Sequence, residues 1–126
     1  MLLMKRFFLL LAACLVVSIS SAQQRPTFVF VKITESIMPL ERGSKYEDPL
    51  DEALKKARVG EVTGGGSSLS KDKKIEWVGL DVELTDVPKG IPLLRKKLIE
   101  LGAPKGSTME YELDGAKRSV LVHTGQ

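Results

Sequence analysis

Polar and apolar positions alternate longest from Lys74 to Leu84. Val78, Leu80, Val82 and Leu84 fall on one side, and Ile75, Trp77, Gly79, Asp81 and Glu83 on the other. A period of two over that length predicts a strand with one face in a core. Thr27 to Glu35 repeats the pattern, with Val29, Val31 and Ile33 to one side and Phe28, Phe30, Lys32 and Thr34 to the other. Its β-branched and aromatic content predicts a second strand. Thr108–Leu113 and Lys117–Val122 read as a hairpin, because Asp114-Gly115 suits a two-residue turn with positive φ at both positions. Helical spacing replaces alternation in two places. Leu50, Ala53, Leu54 and Ala57 form one stripe, with Asp48 as cap, Pro49 in the first turn and Gly60 as the stop. Ile91, Leu94, Leu98 and Leu101 form the other, with Arg95, Lys96 and Lys97 toward water and Gly102 and Pro104 at its end. Glu61–Thr63 is expected to be a short strand, followed by a flexible Gly64–Ser68 loop. Ser36–Asp48, with Pro39, Gly43, Glu41, Arg42 and Lys45, is expected to be the longest irregular connection.

The resulting order is β-α-β-β-α-β plus a C-terminal strand, which predicts an α+β domain of the ferredoxin-like, split βαβ kind. In that arrangement both helices cover one face of an antiparallel sheet, here Val29, Val31, Ile33, Val78, Leu80, Val82 and Leu84. The other face would carry Phe28, Phe30, Lys32, Ile75 and Trp77 beside Asp81 and Glu83. Antiparallel sheets commonly leave such a face to water, so four large apolar residues on it are a signal. Either the terminal strand or the 36–48 loop covers them, or they form a surface for self-association or for another macromolecule. The pieces Tyr46-Glu47-Asp48-Pro49-Leu50, Gly60-Glu61-Val62-Thr63-Gly64-Gly65-Gly66 and Leu101-Gly102-Ala103-Pro104 resemble small uncharacterised bacterial exported domains of this topology. The resemblance implies a shared fold; it brings neither an activity nor a functional residue.

The first 22 residues have a different grammar. Lys5 and Arg6 precede the uncharged apolar run Phe7–Ile19, and Ser20-Ser21-Ala22 offers small residues ahead of Gln23. This is the pattern of a secretory signal peptide cleaved between Ala22 and Gln23, leaving residues 23–126 as one domain. The run is shorter than the roughly 20 residues that cross a bilayer. Periplasmic or secreted placement is expected. Leu11-Ala12-Ala13-Cys14 also resembles a lipoprotein signal, which would anchor the chain to a membrane through Cys14; the apolar Leu15-Val16-Val17 that follows favours Ala22 instead.

Composition narrows the picture. Cys14 is the single cysteine, so the domain after the leader has no disulfide and depends on its core. The 19 Lys and Arg against 16 Asp and Glu include Lys5 and Arg6, so the exported portion is nearly neutral. That removes the electrostatic case for nucleic acid, and the basic strand motif of an RNA-binding sheet is missing. Gly64-Gly65-Gly66-Ser67-Ser68 invites comparison with phosphate-binding loops, but Lys71 comes too late and a strand follows. Asp81, Glu83 and Asp86 lack the regular oxygen spacing of a calcium loop and the unlike environments that split paired carboxylates. They read as a solvated strand face. His123 has no cysteine or second histidine to share zinc, and as a base for Ser67, Ser68, Ser70 or Thr108 it would act from the chain end. No catalytic residue, metal site or cofactor is expected. The reading is a non-enzymatic exported protein that binds itself or an envelope partner through the open sheet face and the 36–48 loop. The alternative is a small enzyme or ligand-binding protein with a cleft between the 36–48 loop and the 64–68 glycine loop.

Overall fold

Strand β1 (Thr27–Ile33) runs down the middle of a five-stranded antiparallel sheet, flanked by β3 (Ile75–Leu84) and β4 (Thr108–Leu113). β2 (Gly60–Leu69) and β5 (Ala116–Leu121) form the two edges, giving the order β2-β3-β1-β4-β5. The computed structural model describes residues 25–124; the leader, the Ala22–Gln23 junction and Cys14 lie outside the described residues. Among the described residues no helix is long and apolar enough to cross a membrane.

The alternation in the sequence becomes the core. Val29 faces Val82, Val31 faces Leu80 and Ile33 faces Val78 across the β1–β3 ladder, and none of the six is exposed. Helices α2 (Asp48–Lys56) and α3 (Val87–Glu100) close over that side with Leu50 and Leu54, and with Ile91, Leu94 and Leu98. Full burial of such side chains is worth roughly 1.5–3 kcal/mol each, so this α+β layer pair is where the domain's stability lies. Local chemistry sets the boundaries. The Asp86 carboxylate accepts the Lys89 N–H at 3.1 Å and starts α3, with Pro88 in the first turn, where its missing N–H costs nothing. Gly102, at φ 92°, lets the chain leave it. Asp114 and Gly115, at φ 53° and 78°, make the expected tight hairpin between β4 and β5.

Three expectations are corrected. Ser36–Asp48 is largely helical: α1 (Pro39–Arg42) runs through a π-helical turn at Gly43–Glu47 into α2, so the element order departs from the expected one at the first connection. Pro39 is tolerated in the first turn, and the fully buried Tyr46 extends the Leu50–Leu54 stripe by one more step of four. The glycine run is strand, not loop; β2 pairs along nearly the whole of β3, and the turn falls at Ser70–Lys74. Gly60 does not stop α2, because Arg58 takes the left-handed conformation at φ 57°. Gly60 begins β2, where a Cβ would collide with the Glu83 carbonyl.

The residues that follow β5 are tied down. Val122 is buried and its N–H donates to the Ser107 carbonyl at 2.9 Å, while His123 Nε2 donates to the Ala103 carbonyl at 2.6 Å. The buried Ser107 hydroxyl in turn accepts the Thr34 N–H at 3.2 Å, joining the ends of β1, β4 and β5.

Candidate functional site

The sheet face turned away from the helices is organised around β1. Phe28 stands opposite Glu83; Phe30 stands between Asp81 and Glu110, and Lys32 between Gly79 and Thr108. Phe30 and Trp77 meet edge to face, 5.9 Å between centroids at 80°, and Lys32 Nζ lies 4.9 Å from the indole centroid. Both geometries are favourable ones for an aromatic quadrupole. Gly79 explains why the rings lie down on the sheet. A Cβ there would be 2.7 Å from Phe30 Cε2 and Cζ and 3.4 Å from Trp77 Cζ3, so the Phe30 ring roofs a bare strand position. Phe30 and Trp77 are therefore half-buried by each other, whereas Phe28 is 53% exposed.

No described element lies over this face. β5 extends the sheet beside β4 instead of folding across it. The 36–48 segment sits on the helix side, where Glu47 and Arg42 occupy the space a Cβ on Gly65 would need. Two shallow depressions remain. One, of about 1020 Å³, is bordered by Phe28, Phe30, Glu110, Glu112, Lys117 and Arg118. A smaller one, about 360 Å³, lies between Trp77, Phe30 and Asp81 over Gly66 and Gly79.

Of the residues expected on the face, Phe28, Phe30, Lys32 and Trp77 share it. Ile75 does not: a register shift between Ser68 and Leu69 interrupts the alternation, and Ile75 packs against the core. Asp86 caps α3. Asp81 and Glu83 stay on the open face, and no group of three metal-ligating side chains occurs among the described residues. The two segments expected to frame a cleft touch each other: Arg42 donates to the Ser67 hydroxyl at 3.1 Å, and Arg42 and Glu47 pack against Gly65.

One polar cluster escaped the sequence reading. Tyr46 donates its hydroxyl to Glu35, whose other carboxylate oxygen receives Lys45 at 2.6 Å. Burial pushes the Glu35 carboxyl up, but the bonds from Lys45 and Tyr46 outweigh it and hold it below its ordinary value. Burial, then the bond to Glu35 and its charge, push the Tyr46 hydroxyl up. The cluster serves as an anchor that fixes the π-helical turn to the end of β1. Its sequence signal was the spacing Tyr46-Leu50-Leu54, which places a tyrosine on the buried stripe.

No family model, no curated protein and no solved structure matches the chain.

Proposed function

We propose that the chain is a small exported binding protein whose open sheet face docks a macromolecular partner. The single observation that carries this reading is Phe28, more than half exposed at the rim of the Phe30–Trp77–Lys32 cluster, on a face no described element covers. Clustered aromatic residues are what interface centres are enriched in, and Lys32, Asp81 and Glu83 around them would belong to a polar rim. Burying the aromatic residues would supply a few times the roughly 1.5–3 kcal/mol of one large apolar side chain, before association costs are subtracted. The strand order β2-β3-β1-β4, with helices following β1 and β3, supports a ferredoxin-like arrangement lengthened by β5. Export rests on the leader and places the partner in the cell envelope or outside it.

The test is capture from an envelope extract by the exported protein, followed by titration of the captured partner against variants. Phe28→Ser should weaken the complex by about tenfold or more, with circular dichroism and melting temperature unchanged. Phe30→Ser should weaken it too, but with a lowered melting temperature, since it uncovers Gly79. A complex indifferent to Phe28→Ser would remove the open face from the reading.

A further inference from the structure

The two sheet edges are not alike. β5 carries Lys117 and Arg118, and charged side chains are how natural sheets discourage strand addition. β2 has no charge from Gly64 to Leu69, and Leu69 is 59% exposed. The first part of the β2 edge is closed, since Asp51 on α2 accepts the Val62 N–H at 3.0 Å. Beyond the register shift that follows Val62, no turn, helix or side chain bonds to the backbone of Gly64–Leu69 among the described residues. Alternate residues of an antiparallel edge strand aim their N–H and C=O groups away from the sheet, so this half of β2 is a ladder with one side unfilled.

Its glycines point the same way. Gly65 is required by Glu47 and Arg42 packed against it. Gly64 would meet Asp81 Oδ2 at an ordinary 3.4 Å, and Gly66 has nothing within 4 Å; neither has a positive φ. Glycine inside a strand weakens it and marks either a bulge, as at the register shift before Gly64, or a place where another backbone comes close, which is the role left for Gly66. The charges at the two ends select the occupant. Glu61, exposed and in no ion pair among the described residues, precedes the open stretch, and Lys71, Lys73 and Lys74 follow it, with Asp72 between them. A two-fold axis through the middle of the stretch sets each Glu61 beside the lysine-rich turn of a second copy.

We propose that two copies of the chain pair antiparallel through Gly64–Leu69 of β2, joining their sheets into one across an isologous two-fold interface. Both Phe28–Phe30–Trp77 faces then look the same way, doubling the proposed docking surface without relying on it. Sedimentation velocity of the purified exported protein over rising concentration, with amide hydrogen exchange on the same samples, tests the pairing. The mass should climb toward a dimer, exchange at Gly64–Leu69 should slow in step, and added salt should weaken both. Glu61→Lys should raise the dissociation constant about tenfold or more, and adding Lys71→Glu and Lys73→Glu should restore it, which a folding defect would not do. A monomer at every concentration would overturn the proposal, as would a dimer whose Gly64–Leu69 amides exchange unchanged. A dimer lost in Phe28→Ser but kept in Glu61→Lys would overturn it as well, and would leave the open-face reading standing.

Discussion

Tyr46 and Glu35 show how a single hydroxyl can tie an element down. Tyr46 is fully buried, and the carboxylate it reaches is held ionised by that bond and by Lys45. Because the folded value of Glu35 lies below its ordinary 4.5, its contribution is present above that pH and is lost as pH falls through the folded value. Glu35→Gln should therefore flatten the acid limb of a stability-against-pH curve while leaving the fold intact, read by urea unfolding at a series of pH values. Tyr46→Phe should cost about 1.5–3 kcal/mol at neutral pH, the range for a hydrogen bond to a charged group. An acid limb unchanged in Glu35→Gln would show that the bond does not stabilise the fold. Neither residue stood out in the sequence, because a lone Glu after a strand and a Tyr among charged residues match the composition of a solvated connection.

At the scale of elements, what was legible depended on whether side chains recorded the period. The β1 alternation, the β3 alternation from Trp77 to Leu84, the α3 stripe and the Asp114-Gly115 turn all appear where the residues placed them. Three glycines record no period, so composition shows only the Glu61–Thr63 start of β2 and makes Gly64–Ser68 look like a loop; the strand's length follows from β3, whose ten residues need a partner on that side. The helical stretch before Asp48 was hidden by Pro39 and Gly43, both read as breakers although a first-turn proline fits a helix. Of the candidate site, Phe28, Phe30, Lys32 and Trp77 were legible from period two alone, and Ile75 was not, because a register shift leaves no mark in composition. The α3 stripe gives a direct check. Leu98 has no exposure and Lys96 is exposed on the same helix. Leu98→Ala should cost about 2–5 kcal/mol in denaturant unfolding, and Lys96→Ala less than about 0.5 kcal/mol. Equal small losses would mean that α3 does not pack through this stripe.

For the whole molecule, the question is what the first 22 residues do for the rest. Among the described residues, every member of the buried core falls between Val29 and Val122. Cleavage after Ala22 would leave a short lead-in that ends in the exposed Arg25 and Pro26 just before β1. A chain beginning at Gln23 should fold with the same cooperative melt as the full 126-residue chain, within the roughly 0.5 kcal/mol expected of changes away from packed or bonded groups. The exported protein itself should have the intact mass of a chain starting at Gln23, or of that chain with the glutamine cyclised. A lipid-modified Cys14 at the N-terminus would instead put the domain on a tether, with both sheet edges and the open face held near a membrane surface. A leader retained in the cytoplasmic fraction would remove export, and with it the envelope partner. A Gln23 chain that failed to fold would show that residues before β1 contribute packing that the core from Val29 to Val122 does not supply.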